Sequence, residues 1–283
     1  MSKFAFDLNR YTQLYTQPWT YGITAFRVFG NLYFVGNRDG ASWLVDTGEG
    51  LVLFDTNYPH TCAMLVDSIY SLGFNPRNIL AIFHTHGHFD HFGATSYLQA
   101  LSGCKTYLGE ADIELFHSRP ELTHVDDALY SYLVPFEPDA AVHDGDTFRF
   151  GCLSIRASAC PGHSPGTMSY FFDVTDGSQT YTAGLHGGAG FNTLCWEYVQ
   201  THKVNWRRDF LNSIKKMETE HVDIFLGNHT PQNHLLEKLE VSTEACNPFI
   251  NSGDWIDFLD GLRRQYAEMV QEEQEAGIFI PES

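Results

Sequence analysis

Two spacings of apolar residues alternate along the chain. Residues 24–54 carry four short apolar runs, TAFRVF, NLYFVG, ASWLV and LVLF, which are rich in β-branched and aromatic residues and are separated by polar or glycine-containing turns. This pattern predicts a β-meander. Over residues 59–72 the apolar positions fall on one helical face, which predicts a helix that Gly73 is suited to end. The compact apolar run Ile79–Phe83 predicts a buried strand, and a second helix is expected to reach Leu101.

The second half of the chain repeats this order of elements. Apolar runs of strand length are followed by a helical spacing, another apolar strand and a long amphipathic helix, over residues 147–150, 153–157, 168–172, 206–218, 222–226 and 254–275. Two similar halves predict two sheets packed together with helices outside. Because no linker or low-complexity tract separates the halves, we expect a single domain over residues 1–283.

Residues 117–143 form the least regular stretch, with three prolines among charged and aromatic residues. A long irregular segment inside a compact domain is usually functional, often as a lid over a site. We therefore predict a lid-like insertion here, which carries Tyr130, Tyr132 and Phe136.

The strongest chemical signal is HTHGHFDH, residues 84–91, immediately after the predicted buried strand. It places three imidazoles and a carboxylate close together, at His86, His88, Asp90 and His91. Zinc prefers histidine nitrogen and carboxylate oxygen as ligands. A short loop with alternate ligands can direct His86 and His88 at one ion. Asp90 and His91 would then face another.

Two distant segments have a similar character. His163 lies between two Pro-Gly turns in CPGHSPG, and His229 follows the predicted strand 222–226 in LGNHTP. A single histidine is more often structural than a ligand. The four groups of the first cluster cannot complete two metal shells unaided, however, and this makes both histidines candidate ligands. His84, in the strand before the motif, is expected to be structural, and Cys160 is expected to be a small buried apolar residue.

The sequence resembles the metallo-β-lactamase superfamily, whose H-x-H-x-D-H signature it matches at every position. The likeness covers nearly the whole chain. Within the superfamily, the sequence is most similar to dinuclear zinc β-lactamases with an all-histidine first zinc site. It implies an α/β fold, a four-layer αββα sandwich of two mixed β-sheets with helices on both outer faces. It also implies two Zn²⁺ ions. The implied ligands of the first and the second ion are, respectively, His86, His88 and His163, and Asp90, His91 and His229.

One departure from the pattern of the superfamily narrows the class of hydrolase that this chain resembles. Many hydrolases of the superfamily, such as glyoxalases and lactonases, have a metal-bridging Asp where this chain has Leu185. The resembled β-lactamases also lack that bridge. Members that bind β-lactams usually hold the substrate carboxylate with serines near this loop, where this chain offers His186. We therefore predict that His186 is catalytic, either by holding the substrate carboxylate or as a ligand or hydrogen-bond donor at the second metal.

The resemblance implies a hydrolase in which two zinc ions lower the pKa of a shared water toward about 7. The resulting hydroxide would attack a carbonyl whose oxygen the first zinc polarises, while Asp90 ligates and orients. We expect the opening of a β-lactam or similar cyclic amide. The alternative is a cytoplasmic metal-dependent hydrolase of a lactone, thioester or other ester. The complete six-ligand set disfavours a metal-binding module without turnover, and a diiron redox role would need more carboxylates.

The composition restricts the partners. The chain has 17 Lys and Arg against 35 Asp and Glu, a formal net charge of −18. A nucleic-acid backbone or an anionic membrane requires basic patches, so we expect neither as a partner, and a nuclease of this superfamily is disfavoured. No apolar run of membrane-spanning length and no export signal is recognised. We therefore expect reduced cysteines, a cytoplasmic location and a small-molecule substrate, while the oligomeric state stays open.

Overall fold

The apolar runs of the first half form the larger of two sheets in this computed structural model, which describes residues 2–124, 133, 135–243 and 246–281. Neighbouring strands pair antiparallel from the first to the fourth and parallel from the fourth to the seventh, so the sheet is mixed. In spatial and chain order alike, the strands are β1 (Phe26–Phe29), β2 (Leu32–Phe34), β3 (Trp43–Asp46), β4 (Leu51–Phe54), β5 (Ile79–Phe83), β6 (Lys105–Gly109) and β7 (Ala140–Val142).

The second sheet is also mixed. Its first four strands form an antiparallel meander, and its last strand pairs parallel to the fourth. The strands are β8 (Thr147–Phe150), β9 (Leu153–Ala159), β10 (Met168–Thr175), β11 (Thr180–Leu185) and β12 (Ile224–Leu226).

Helices precede, connect and follow these strands. The α-helices are α1 (Thr12–Thr16), α2 (Cys62–Ser71), α3 (Phe89–Phe92), α4 (Thr95–Ser102), α5 (Glu110–Ser118), α6 (Trp196–His202), α7 (Arg207–Met217), α8 (Leu235–Val241) and α9 (Gly253–Glu275). Short 3₁₀ turns cover Leu8–Tyr11, Pro18–Tyr21, Pro59–Thr61, Pro76–Asn78, Pro120–Thr123 and Thr230–Asn233. The predicted helix over 59–72 is thus a 3₁₀ turn followed by α2, and Gly73 after it has a φ of +86°, in the left-handed region that favours glycine.

Alternate residues of both sheets meet in a common core. The rings of Phe54 in β4 and Phe172 in β10 stack with centroids 4.9 Å apart. On the outer face of the first sheet, Leu53 belongs to one buried cluster with Leu65 of α2. On the outer face of the second, Phe225 packs against Trp255 of α9 with ring centroids 5.5 Å apart. The predicted fold, two mixed sheets with helices on both outer faces, is confirmed.

Residues 105–143, between α4 and β8, contain more regular structure than the sequence pattern predicts. The sequence pattern gives no indication of β6 and α5, and β7 lies inside the predicted irregular stretch 117–143. β7 has only three residues and is ordered by parallel pairing with β6, so its apolar pattern is too short to read alone. Phe136 is buried, with its ring centroid 4.5 Å from that of His84, while Tyr130 and Tyr132 lie outside the described residues.

None of the six cysteines is joined to another in a disulfide. In the described part of the chain, no helix combines the length and the apolar character that crossing a bilayer requires.

Candidate metal centre

The six predicted ligands lie on loops and a short helix that follow buried strands of both sheets. The loop after β5 and the helix α3 carry four of them, and the connections after β9 and β12 carry one each. The strands are fixed by their ladders and by the core, so they hold these connections in place. In chain order the ligands are His86, His88, Asp90, His91, His163 and His229.

The first trio consists of His86, His88 and His163. One ligand nitrogen from each lies within 4.8 Å of the others, and His86 Nε2 is 3.1 Å from His88 Nδ1. All three side chains are buried. Burial lowers the pKa of His163 to about 3, and burial with the neighbouring histidines holds the pKa values of His86 and His88 well below the ordinary value. The rings are therefore neutral, the form in which imidazole binds a metal.

The second trio consists of Asp90, His91 and His229, again with ligand atoms within 4.8 Å of one another. Asp90 Oδ2 is 3.4 Å from the Nε2 atoms of both His91 and His229. Burial opposes ionisation of Asp90, but the two histidines outweigh it and hold its pKa well below the usual range. Burial likewise disfavours the charged His91 ring, but Asp90 and Asp55 raise its pKa to about 9. The trio therefore combines one ionised carboxylate with two histidine rings, and binding of a metal cation would replace protons on those rings.

The donor set fits transition-metal ions. His91 Nε2 and His88 Nε2 are buried and have no hydrogen-bond partner among the described residues. A buried polar nitrogen without a partner is costly, and His91 Nε2 is oriented toward Asp90 and His229 as a metal ligand would be. Five imidazoles and one carboxylate are ligands that suit zinc and its neighbours in the periodic table.

Hydrogen bonds from Nδ1 fix the orientation of four of the rings. His86 and His163 donate from Nδ1 to backbone carbonyls of Gly187 and Gly190, each at 2.9 Å, and His229 donates to the carbonyl of Asp39 at 3.2 Å. His91 Nδ1 lies 2.7 Å from Asp55 Oδ2. Each bond leaves the Nε2 lone pair for a metal, which is the usual way in which surrounding groups orient histidine ligands.

Sequence reasoning missed Asp55 and Asp39. Asp55 is buried directly after β4, with a φ of +55°, and it also accepts from the backbone and hydroxyl of Thr85 at 2.7 Å each. Its only signal in the sequence is a carboxylate placed at the end of an apolar strand. Asp39 lies in a glycine-containing turn, where its carbonyl oxygen accepts from His229 Nδ1 at 3.2 Å and its carboxylate Oδ2 lies 3.6 Å from the same nitrogen. A single acidic residue in a turn gives no signal of this contact in the sequence.

The two other histidines singled out from the sequence lie apart from both trios. His84 is fully buried and hydrogen-bonded through both ring nitrogens, to the carbonyl of Tyr107 at 2.9 Å and the hydroxyl of Thr95 at 2.7 Å. His186 is buried with its ring centroid 5.1 Å from Phe258 and 5.8 Å from Trp255. Burial lowers its pKa to about 4. The structure does not bring His186 to the trios or to the cavity beside them, so its predicted catalytic role has no support from the geometry.

A cavity of about 860 Å³ opens beside both trios, and His88, Asp90, His163 and His229 line it. One wall is unexpected, because it is formed by aromatic residues near the start of the chain. Phe6 lies 5.5 Å from the ring of His124, which in turn lies 4.9 Å from that of His88. From the predicted lid, His124 lines the cavity and Phe136 does not. The other early aromatic residues on this wall are Phe4, Tyr11 and Tyr15.

A model of the metallo-β-lactamase superfamily matches residues 35–176, just over half of the chain's 283 residues. The chain belongs to the metallo-β-lactamase superfamily. Its fold is similar to that of BJP-1, a subclass B3 metallo-β-lactamase of Bradyrhizobium japonicum, with a TM-score of 0.79 and 26% identity, covering 92% of this chain and 98% of that one.

Curated relatives of this metallo-β-lactamase superfamily member match over shorter stretches. It is 34% identical over 126 residues to a probable metallo-hydrolase of Burkholderia pseudomallei, covering 42% of this chain and 38% of the relative. It is 27% identical over 157 residues to a hydroxyacylglutathione hydrolase of Anaeromyxobacter dehalogenans, covering 53% of this chain and 51% of the relative. The chain thus spans from 38% to 51% of the length of these two relatives.

The predicted resemblance is confirmed by these matches. The trio of His86, His88 and His163 fits the all-histidine metal site that the resemblance implied. At the level of the family, the prediction of a metal-dependent hydrolase is also confirmed, because the relatives and the structural neighbour are named as hydrolases and a β-lactamase.

Proposed function

We propose that this protein is a dinuclear zinc hydrolase that opens a β-lactam or a similar cyclic amide. The observation that carries the proposal is the pair of adjacent ligand trios beside one cavity of about 860 Å³. The two trios are adjacent because residues 86–91 contribute ligands to both. Two neighbouring metal sites suit a reaction in which both the attacked carbonyl and the leaving group must be stabilised. The similarity to a subclass B3 β-lactamase over 92% of the chain supports the same reaction class.

In this proposal each trio holds one ion. His86, His88 and His163 would bind the first, and Asp90, His91 and His229 the second. When bound, zinc would supply a water that is nucleophilic at neutral pH and positive charge for the carbonyl oxygen and the leaving group.

The chain's own groups then fix the geometry. Asp90 supplies the one negative charge among the six ligands and directs Oδ2 between His91 and His229. Backbone carbonyls and Asp55 hold the rings, so the site needs little rearrangement to bind its metals. The aromatic wall around Phe6 and Tyr15 would offer apolar surface to the substrate.

The choice of a cyclic amide rests on the absence of a bridging carboxylate at one position. Leu185, where the resemblance places a metal-bridging Asp in glyoxalases and lactonases, is buried in the core between the sheets. The second candidate is a lactone, thioester or other ester hydrolase. It is supported by the similarity to a hydroxyacylglutathione hydrolase and by the position of His186 away from the cavity, which leaves the predicted carboxylate-binding group out of reach.

Turnover decides between the two. The metal-loaded protein is incubated with a chromogenic β-lactam, a lactone and a thioester, with and without a chelator. We expect chelator-sensitive hydrolysis with the β-lactam as the best substrate by kcat/KM. A higher kcat/KM for the thioester or the lactone would instead support the second candidate function, an ester hydrolase. Activity that survives the chelator, or that His163→Ala leaves unchanged, would contradict the metal assignment itself.

A further inference from the structure

Asp112 is a buried carboxylate that the proposed reaction does not use. It lies in the first turn of α5, has no exposed surface and is not a member of either trio. Its Oδ2 accepts from the backbone N–H of Gly87 at 2.7 Å and from the hydroxyl of Ser164 at 2.6 Å, and its Oδ1 accepts from the N–H of Gly166 at 2.7 Å. Burying a charged group is costly unless donors surround it, so three donors on one carboxylate indicate a specific role.

The donors to Asp112 come from the two loops that carry the first trio. Gly87 separates His86 from His88, and Ser164 directly follows His163. A displacement of Gly87 would therefore move two candidate ligands together. A displacement of Ser164 would move the third. Asp112 is the group at which both loops are joined.

Glycines make this contact possible. A Cβ atom added at Gly166 would lie 2.4 Å from the backbone nitrogen of Asp112 and 2.7 Å from its Cβ. One added at Gly109, just before α5, would lie 2.0 Å from the carbonyl oxygen of Gly166. Real Cβ atoms do not approach so closely, so α5 could not approach the His163 loop with larger residues at these positions. Glycine at positions 109 and 166 thus allows Asp112 to reach the His163 loop.

We propose that Asp112 is a positioning residue of the first metal site. Its carboxylate ties residues 84–88, which precede α3, to the loop 160–167 at the separation at which His86, His88 and His163 can bind one ion. This inference rests on the metal assignment of the proposed function. The second trio does not depend on Asp112, because His91 and His229 are oriented by Asp55 and by the carbonyl of Asp39.

The independence of the two trios defines the experiment. Zinc affinity of metal-free protein is measured by competition with a chromophoric chelator in two backgrounds. His229→Ala leaves the first site as the complete trio, and His163→Ala leaves the second. In the first background we expect Asp112→Asn to weaken zinc binding about 10- to 100-fold, the usual cost of removing a group that orients metal ligands. In the second background we expect a change of less than about threefold.

Glu114→Gln is the matched control, because it removes a carboxylate from the exposed face of the same helix. We expect it to leave zinc affinity unchanged in both backgrounds. Equal weakening by Asp112→Asn in the two backgrounds, or no weakening in either, would overturn the proposal. A lower unfolding midpoint with unchanged zinc affinity would show that Asp112 is merely structural and would overturn it as well.

A second variant covers the case in which Asp112→Asn does not fold. Ser164→Ala removes one donor and keeps the carboxylate, so a smaller loss of affinity, about 3- to 10-fold, is expected only in the His229→Ala background. In metal-free protein, hydrogen exchange at the amides of Gly87 and Gly166 should be faster in Asp112→Asn than in Glu114→Gln. Unchanged exchange together with unchanged affinity of Ser164→Ala would refute the inference. Failure of the parent protein to hydrolyse any substrate would refute the proposed function but not this role in metal binding.

Discussion

At the scale of single residues, the candidate centre depends on which ring nitrogen each histidine presents. The ring of His91 is the best defined, because Asp55 accepts from its Nδ1 and the buried Nε2 remains for a metal. A carboxylate in this position fixes the tautomer and makes the ring a stronger ligand. Asp55 is itself held by two hydrogen bonds from Thr85.

We predict that Asp55→Asn weakens zinc binding at the second site about 10- to 100-fold and leaves the first site within about threefold. An amide is neutral and can present its NH₂ to His91, so both the charge and the fixed tautomer are lost. The measurement is zinc competition in the His163→Ala and His229→Ala backgrounds. Asp46→Asn is the control, because the Asp46 carboxylate accepts from the turn amide of Gly48 and lies in neither trio. Equal affinities of Asp55→Asn and the parent in the His163→Ala background would contradict this role.

The environment of the His186 ring could not be read from the sequence. In the sequence it stands beside two glycines and resembles an accessible loop histidine. In the structure Leu185 points into the core between the sheets, so the next residue points to the opposite face, where α9 covers it with Trp255 and Phe258. Successive side chains at the end of β11 point to opposite faces of the sheet, and this places the His186 ring under α9. The sequence does not reveal where β11 ends.

We predict that His186 affects stability at mildly acidic pH rather than substrate binding. Burial lowers its pKa from 6.5 to about 4 in the folded protein. Between these values the unfolded chain binds more protons, so the free energy of unfolding falls as pH decreases below about 6.5. The His186 contribution to this loss is about 1 kcal/mol between pH 7.5 and 5.5. His186→Asn, which does not titrate, should reduce the pH dependence of denaturant unfolding of metal-free protein by that amount. A pH dependence identical to that of the parent would show that the ring is not buried in its neutral form.

The candidate ligands could be found from the sequence because they cluster and because each follows an apolar strand. Spacing identified the four residues of the first loop, and the two Pro- or Gly-flanked histidines completed the set. Asp55 and Asp112 could not be found in this way. Each is a single acidic residue whose partners are backbone amides, hydroxyls and a ring from distant segments, and such partners leave no pattern in the surrounding sequence.

At the scale of elements, strands with a clear apolar or alternating pattern and the long amphipathic last helix were predicted well. Ile79–Phe83 and Thr147–Phe150 form strands with the predicted bounds, and the last helix begins within one residue of its predicted start. β6 and β7 escaped prediction because their sequences are weak strand formers: Lys105 and Gly109 stand at the ends of β6, and two of the three residues of β7 are alanines. The aromatic wall near the start of the chain escaped because its 3₁₀ turns and five-residue α1 have no regular apolar face.

One buried ion pair connects three elements near the second sheet. Arg207, at the start of α7, donates to Glu273 Oε1 of α9 at 2.6 Å and twice to the carbonyl of Leu194. The same carboxylate oxygen accepts from the backbone N–H of Trp196, where α6 begins, at 2.9 Å. Both charged side chains are almost fully buried, at 1% and 2% exposure. The loop after β11, which supplies carbonyls to His86 and His163, is thus tied to α7 and α9.

We predict that Glu273→Gln lowers the free energy of unfolding by about 3 kcal/mol, because it leaves Arg207 buried without its counter-charge. The measurement is equilibrium denaturant unfolding of metal-free protein. Glu268→Gln on the same helix breaks only an exposed pair with Lys3, at 57% and 52% exposure, and should cost less than about 1 kcal/mol. Similar small losses for both variants would mean that water reaches the Arg207 pair.

At the scale of the whole molecule, the two trios join the two sheets. His86, His88, Asp90 and His91 follow β5 of the first sheet, whereas His163 and His229 follow β9 and β12 of the second. Each trio therefore contains ligands from both sheets. A bound ion would connect them across the cavity, at the edge of the core that Phe54 and Phe172 fill. Metal binding would also reduce the electrostatic repulsion within the folded protein. The chain has a net charge of −18, and two divalent cations at Asp90 and the five histidines would offset part of it.

We predict that zinc stabilises the entire fold as one unit. A ligand that binds only the folded state at a hundredfold excess over its Kd adds about 2.7 kcal/mol per site to the free energy of unfolding. Denaturant unfolding is followed by tryptophan fluorescence and by far-UV circular dichroism, with zinc or with a chelator. We expect both signals to shift together to higher denaturant with zinc, and Mg²⁺ to produce no shift, since it prefers oxygen ligands.

His163→Ala and His229→Ala should each lose about half of the gain in free energy, because each disrupts one trio. Separate transitions of the two signals in zinc would show that the ions do not connect the sheets, and an unshifted transition would show that the folded chain does not bind zinc.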